Sequence, residues 1–480
     1  MLEKLKKMEM PHVFTLLTIV VFLCSALTYI IPSGKYERES KTVGSMTRTV
    51  IVPGSYKTQE KQYSVKGTIL GESVEGKASP VSIVNFLSAI PRGMAEAAEI
   101  IFFIFIIGGV LGILQETGMI IAILQKLMDI FKHYNAALTI IIMSAIAVGG
   151  STLGMGEEFI PLVPIFLIIS KEMGFDRIYG LAIVLVAADV GFAAATTNPF
   201  TVNIAQGIAE LPLNSELTFR SVFLVTILIT SIIYILQYGK KIKKNPASSI
   251  MAGDNFDVSD HHLEKVELSR KHIYILISSV LIFIFILYSV QAFGWYLNEM
   301  AGGFILMGMA AIIISRIKLS KAVPAFVKGM EEMVVAALVV GFAKGIKVVL
   351  EDGQILDTLI YLAANLLQGL PKVIAAQGML IFQSTLNFFI PSGSGQAAVT
   401  MPLMAPLSDI LGLSRQTAVF AFTCGDGFSN TLVPTGGVLM AMLSLAKIPY
   451  QKWLKFMFPL FIMLMVVSAI FLAISVYIHQ

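Results

Sequence analysis

Apolar runs of about 20 residues recur along this chain, and they constrain its fold more than anything else in it. The first extends from Pro11 to Ile31 and the last from 456 to 478. Such a run spans a ~30 Å hydrocarbon layer as a helix. In lipid the backbone must satisfy its own N–H and C=O groups, so the helix is the structure each run should adopt. Of the 480 residues 56% are hydrophobic and 14% charged, against roughly 25% charged in a soluble domain. An all-α polytopic membrane protein is expected. Cys24 and Cys424, the two cysteines, sit in apolar runs, so neither a disulfide framework nor a metal cluster is indicated. No HExxH, P-loop or GxGxxG in strand–helix context occurs, so no motif supports ATP-driven transport by this chain alone.

Charge sets the expected topology. The basic start MLEKLKK precedes a run longer than a signal-peptide core, so residues 1–31 read as a retained first helix with a cytoplasmic N-terminus. Residues 32–80 are a polar extracytoplasmic loop in which RTVIV suggests a little strand. Residues 81–238 form a first transmembrane repeat, ending at the lysine-rich YGKKIKKN that opens a cytoplasmic loop over 239–271. Residues 272–293 link to a second repeat, 294–480. Loops placed outside, AELPLNSELT and FGWYLNEM, hold no Lys or Arg. Segments 119–134, with Lys126, Asp129, Lys132 and His133, and 355–370 read as interfacial helices, and 325–350 as one crossing.

Four stretches at membrane depth resist helix formation: 150–158 (GSTLGMGEE), 195–201 (ATTNPFT), 391–396 (PSGSGQ) and 429–437 (SNTLVPTGG). Non-helical backbone survives there only if it is buried in protein or lines a wet cavity. The stretches recur in two matched copies. QETGMI (115–120) resembles LEDGQI (350–355), Gly174-x-x-Arg177 matches Gly412-x-x-Arg415, and Gly191-Phe192 matches Gly427-Phe428, with offsets of about 235 to 238 residues. The first copy enters its hairpin from inside and the second from outside. That is an inverted-topology repeat with two re-entrant hairpins and two broken helices, whose binding site should lie near the midplane.

The breaks expose half-helix ends that bind anions at N–H and cations at C=O. Asp189 and Asp426 lie 12 and 11 residues beyond Arg177 and Arg415, roughly 17 Å deep. Carboxylates at that depth are costly and usually functional; the other reading is a carboxylate that caps a broken helix. Gly156, Glu157 and Glu158 mark the first tip, as charge recognition or as acids favoured by the helix dipole. Ser151 and Thr152, with Ser392, Ser394, Gly395 and Gln396, supply tip ligands. Thr196, Thr197 and Asn198, and Ser429, Asn430, Thr431 and Thr435, line the broken helices, where packing kinks at Pro199 and Pro434 are the alternative. Lys344 and Lys347 should snorkel to the outer face. His133, His261 and His262 fall at interfaces or in loops and are not persuasive ligands.

GMGEEFIPLVP, ADVGFAAATTNPFTVNIAQ, NFFIPSGSGQAAVTMPLMAPLSD and GDGFSNTLVPTGG resemble the YfcC-type proteins, a group of the anaerobic C4-dicarboxylate carrier family in the ion transporter superfamily. The resemblance covers nearly the whole chain. It implies two re-entrant hairpins and two unwound helices per protomer, a homodimer and an elevator-type motion in a bacterial cytoplasmic membrane. In relatives such as the divalent-anion sodium symporters, Ser-Asn-Thr hairpin tips bind Na⁺ and substrate. Here Ser429-Asn430-Thr431 falls at a broken helix, and the tips read STLGMG and PSGSGQ. The expected function is secondary transport of a small organic solute, with no cofactor, no nucleic acid and no enzymatic nucleophile–base pair. Basic amino acid antiport, such as arginine against ornithine, fits the acidic residues. Carboxylate uptake coupled to Na⁺ or H⁺, with the acids serving the ion, is the other reading.

Overall fold

The computed structural model describes residues 13–43, 46–72, 74–131, 134–253 and 266–478. The basic start MLEKLKK, Lys132, His133, His261 and His262 lie outside the described residues. The molecule is mostly helical. Helix α1 (Val13–Leu27) leads into the polar 32–80 segment, which holds two small antiparallel pairs. Strand β1 (Ser33–Lys35) pairs with β4 (Lys57–Gln59), and β2 (Arg38–Val43) with β3 (Met46–Ile51). A short helix, α2 (Val65–Leu70), follows.

The first set of helices is α3 (Ile83–Glu96), α4 (Ala98–Glu116), α5 (Met119–Phe131), α6 (Asn135–Leu153), α7 (Val163–Glu172), α8 (Arg177–Ala193), α9 (Val202–Ile208) and α10 (Leu217–Lys244). Then come α11 (Arg270–Phe293) and α12 (Leu297–Ser315). The second set repeats the order of the first: α13 (Leu319–Glu332), α14 (Val334–Asp352), α15 (Leu356–Leu367), α16 (Lys372–Leu386), α17 (Gly393–Leu411), α18 (Arg415–Ser429), α19 (Gly437–Leu445) and α20 (Tyr450–Ile478). Six helices among the described residues, α4, α6, α10, α11, α12 and α20, are long and apolar enough to cross a membrane. The pair α13–α14 makes a seventh if counted as one span.

Two groups of helices result. In one, α3 packs along α14 and α4 along α13, with α1 and α12 alongside. The crossings are close because glycines meet backbone: a Cβ on Gly93 would lie 2.5 Å from Gly345 N, and one on Gly329 would lie 2.2 Å from Gly108 O. In the other group α6 packs on α8, α16 on α18, and α8 on α18. The main seam between the groups is α14 against α19, joined by α4 against the 157–162 turn.

Three expectations change. Residues 325–350 are not one straight crossing but parts of α13 and α14, bent by 42° around Met333. Pro324 inside α13 parallels Pro91 inside α3, and each costs its helix one backbone bond shortly before the break. The lysines of YGKKIKKN do not open a loop: α10 continues to Lys244, where cations suit the negative end of a helix. The breaks in the hairpins are also shorter than their glycine and serine content suggests, as described below.

The 32–80 segment docks on the turn after α14. Ser33 Oγ donates to Gly353 O at 2.7 Å, and the Arg38 guanidinium forks onto Asp357 at 2.8 and 3.0 Å. Tyr56 stacks on Tyr361 with ring centroids 4.0 Å apart. A polar cavity of about 280 Å³ lies here, among Gly34, Arg38, Gln354 and Asp357.

Candidate functional site

The two broken helices cross where glycine removes the side chain. A Cβ on Gly427 of α18 would lie 2.3 Å from Ala193 Cα of α8. One on Gly191 would lie 2.1 Å from Ala147 O of α6, so hairpin and broken helix approach to backbone contact. Both broken helices stop just past this crossing, and the chain runs without helix over 194–201 and 430–436. The match of Gly191-Phe192 with Gly427-Phe428 in the sequence is therefore a packing requirement.

Asp189 and Asp426 sit one turn before these points, 7% and 1% exposed. Asp189 Oδ2 and both carboxylate oxygens of Asp426 have no hydrogen-bond partner among the described residues. The second tip lies against Asp426: a Cβ on Gly393 would be 3.2 Å from Asp426 Oδ2, 2.6 Å from Thr201 Cγ2 and 3.2 Å from Phe192 Cζ. Tip, first break and acid thus share one small volume. Thr201 Oγ1, Asn198 Nδ2, Asn387 Oδ1, Gln396 Oε1 and Thr435 Oγ1 are also buried without partners among the described residues. Native interiors leave few such atoms, and each calls for water, an ion or a ligand.

The first tip is braced from below. Contrary to expectation, α6 runs on through Gly149, Gly150, Ser151 and Thr152 to Leu153, and the non-helical backbone is confined to 154–156. Gly150 is tolerated in helix because α8 backbone occupies the space beside it, 2.6 Å at Ala188 O from a built Cβ. Ser151 Oγ donates to Ala194 O at 2.8 Å, and Ser151 O accepts from Thr196 N and Thr197 N at 3.0 and 3.3 Å. Ser151 and Thr196 hydroxyls also meet at 3.0 Å. Thr152 donates to Val148 O at 2.7 Å, while its carbonyl accepts from Thr197 Oγ1 at 3.2 Å. These hydroxyls serve the hairpin–break junction rather than pointing free. Asn198 is fully buried, its Oδ1 accepting from Phe200 N at 2.8 Å and pressing on Gly154.

The second tip is also shorter than expected. Ser392 is the N-cap of α17, and Ser394, Gly395 and Gln396 form its first turn. A capping serine offsets two helical glycines. Gln396 points into the hairpin and donates to Gln383 O at 2.9 Å and Gln383 Oε1 at 2.7 Å. Ser394 and Gly395 stay half-exposed. Asn387, not singled out from sequence, plays the part of Ser151: its Nδ2 reaches Asp426 O at 3.0 Å, Ser429 Oγ at 2.8 Å and Asn430 Oδ1 at 2.7 Å. Ser429 ends α18, donating to Gly425 O at 2.6 Å, while Asn430 and Thr431 enter the break. Thr431 donates back to Phe428 O at 2.7 Å, and its carbonyl accepts from Trp453 Nε1 at 2.8 Å. Tyr450 OH donates to Leu432 O.

Gly156 and the acids Glu157 and Glu158 begin a 3-10 turn over Glu157–Leu162. Glu158 Oε2 accepts from Gly156 N at 2.8 Å, the dipole-favoured arrangement. It also lines a cavity of about 160 Å³ between this turn, α4 and α12, among Val110, Met155, Phe159, Phe304 and Met307. Glu157 remains half-buried and within electrostatic reach of Asp189 and of Lys344 on α14. Lys347 sits 3.3 Å from both Glu96 and Glu351, and Lys344, almost one turn earlier on α14, is half-buried. Arg220 of α10 was also not singled out. It is 1% exposed and lies 3.3 Å from Ala195 O and 3.4 Å from Thr423 Oγ1, between the two broken helices. Its signal was present as an arginine within an apolar run. No group of three or more His, Cys, Asp or Glu occurs among the described residues in an arrangement that could hold a metal ion.

A family model described as "C4-dicarboxylate anaerobic carrier" (DcuC) matches residues 10–477. The Escherichia coli (strain K12) "Putative basic amino acid antiporter YfcC" is 30% identical over 479 residues, covering 94% of this chain and 93% of that protein. An uncharacterized Haemophilus influenzae protein is 29% identical over 508 residues, covering 100% of this chain and 99% of its own. The crystal structure of the Alcanivorax borkumensis YdaH transporter aligns over 98% of this chain and 99% of its own, at 15% identity and a TM-score of 0.43. The chain belongs to the C4-dicarboxylate anaerobic carrier family, and is a multi-pass membrane protein of transporter type.

Proposed function

We propose that this protein is a secondary active transporter that exchanges basic amino acids, such as arginine and ornithine, across the bacterial cytoplasmic membrane. The observation that carries this reading is the buried acidic pair. Three carboxylate oxygens of Asp189 and Asp426 lack hydrogen-bond partners among the described residues, and Asp426 lies against the second tip. A buried carboxylate needs a cationic or hydrogen-bonding partner. A guanidinium or ammonium side chain supplies one, and the amino acid's own carboxylate suits the N–H groups at the start of α17, at the second tip. The E. coli relative's description fits the same class.

In this reading the repeated element order is an inverted repeat, the arms α6–α7 and α16–α17 are re-entrant hairpins, and the N-terminus is cytoplasmic. The helix group holding both tips and both breaks moves against the other group as an elevator, within a homodimer. Ser151, Thr152, Thr196 and Gln396 act as positioning residues. Asp189, Asp426, Glu157, Glu158, Thr197, Asn198, Ser392, Ser394, Gly395, Asn430 and Thr435 face the solute or coupling ion. A second reading, Na⁺- or H⁺-coupled C4-dicarboxylate uptake, draws on the family description, with the aspartates serving the ion.

Counterflow in proteoliposomes separates the two. Vesicles preloaded with unlabelled arginine, ornithine, succinate or malate are followed for entry of the labelled partner, with and without Na⁺. Arginine–ornithine exchange without Na⁺ is expected. Exchange of dicarboxylate alone, only with Na⁺, would replace this reading by the second.

A further inference from the structure

The long helices α10 and α20 reach back from their first turns onto the two breaks. In the second copy Trp453, the fourth residue of α20, donates from Nε1 to Thr431 O at 2.8 Å, two residues past the end of α18. In the first copy Arg220, the fourth residue of α10, donates from Nη1 to Ala195 O at 3.3 Å, two residues past the end of α8. The two copies thus brace the same carbonyl from the same place with different chemistry. Trp453 is neutral and fully buried, and its one donor is used. Arg220 is charged and 1% exposed, and its Nε and Nη2 have no hydrogen-bond partner among the described residues. No carboxylate oxygen lies within 4.0 Å of it among those residues, Glu216 four positions earlier included. The guanidinium instead meets Ala195 O, Thr423 Oγ1 of α18 at 3.4 Å, and the Phe420 ring, whose centroid is 5.9 Å from Cζ.

A buried charge with unfilled donors is costly. The indole of the second copy shows that a neutral donor is enough to brace a break, so the bracing bond alone does not account for the arginine. Its charge does. The carbonyl end of α8 carries the partial negative charge of a helix C-terminus. In secondary transporters, unwound carbonyls and half-helix ends of this kind hold the coupling cation. We propose that Arg220 is a built-in cation of the first break, taking the place at the carbonyl end of α8 that a dissolved coupling ion would otherwise fill. The proposal rests on the reading of the protein as a basic amino acid exchanger and gives a physical reason for exchange without Na⁺. Because the cation is tethered to α10, the first break keeps its charge and its shape whether or not solute is bound.

The test compares wild type with R220Q, R220K and R220A. Arginine–ornithine counterflow is measured in proteoliposomes in Na⁺, in choline, and in choline with dilute guanidinium. Thermal unfolding midpoints are measured in the same salts in detergent. Wild type should exchange equally in all three. R220K, which keeps the charge, should stay near wild type. R220Q keeps a donor for Ala195 O but no charge. Its exchange in choline should fall by roughly tenfold, the effect of one charge at a buried helix end, and recover with Na⁺ or guanidinium. R220A should follow R220Q. The midpoints of both should rise with these two cations more than that of wild type, because the emptied place binds them in the folded state. Wild-type exchange by R220Q in choline would overturn the proposal, since a neutral bond would then suffice. Loss of exchange in all three variants, with no recovery by either cation, would also overturn it and leave Arg220 a structural clamp. Absence of arginine counterflow in wild type would refute the reading of function instead. The midpoints would then decide the proposal, which fails if the cations stabilise R220Q and R220A no more than wild type.

Discussion

Replacing Asn387 with alanine tests how the second broken helix is held open. The amide has two N–H bonds but three acceptors in range: Asp426 O at 3.0 Å, Ser429 Oγ at 2.8 Å and Asn430 Oδ1 at 2.7 Å. Alanine removes both donors; the Asp426 carbonyl keeps a contact from Ser429 Oγ at 3.1 Å, and the Asn430 amide oxygen loses its donor. Two net hydrogen bonds plus the one stranded acceptor amount to about 2–4 kcal/mol. That corresponds to a roughly 30- to 1,000-fold rise in the open population of this region. The effect should be local, because Ser151, Thr196 and Thr197 brace the first break independently. Hydrogen–deuterium exchange, read peptide by peptide in detergent, is the assay. Amides of 425–436 and 384–396 should exchange faster in N387A, those of 147–158 and 190–201 should not, and transport should fall. N387D should be worse, since a carboxylate would face the Asp426 carbonyl without a donor. Unchanged exchange over 425–436, or an equal rise in both halves, would refute the assignment of Asn387 as the brace.

Asp189→Asn and Asp426→Asn should each abolish transport while the protein still folds; normal transport by both variants across about pH 5–8 would show that neither acid binds solute or ion. Gly427→Ala places a methyl 2.3 Å from Ala193 Cα, against backbone that cannot swing aside, so it should cost about 1–3 kcal/mol, visible as a lower midpoint of thermal unfolding. Outside the spans, Glu210 is held below the ordinary glutamate range by its hydrogen bond from Arg415 and by Lys41. A depressed carboxylate stabilises the fold above its unfolded pKa, and the benefit is lost as pH falls through the lower folded value. Acid unfolding of E210Q should therefore lack the small loss of stability that wild type shows below the ordinary glutamate range, and overlapping curves would refute the contact.

Much of this arrangement was legible in the residues because lipid leaves few choices. The apolar runs marked α4, α6, α10, α11, α12 and α20. The matched glycines 191 and 427 were legible only as a sign of the repeat; that Gly191 meets α6 and Gly427 meets α8 at backbone distance is a tertiary fact. What local sequence obscured was tertiary rescue of weak helix formers. Gly149-Gly150-Ser151 and Gly393-Ser394-Gly395 look like breaks, yet both are helical. Gly150 is held by α8 backbone, and the start of α17 by the Ser392 cap. Met333 gave the opposite error, since nothing at that residue announces a bend; Pro324, nine positions earlier, was the available signal. Asn387 and Arg220 were missed for another reason. Their role depends on acceptors 39 and 25 residues away in the chain, Asp426 O and Ala195 O, a relation that no local pattern expresses.

The central claim is that two hairpin tips and two helix breaks form one solute site. Single cysteines at Thr197, Ser394 and Asn430, each half-exposed, test it most directly, with Ser248 in the turn after α10 as control. They are made in a background in which the buried Cys24 and Cys424 are replaced by serine. The rate of alkylation is measured with and without saturating arginine. Slower labelling at all three positions, with no change at the control, is the predicted result. Protection at one position only, or at none of them while arginine is still bound, would contradict a shared site.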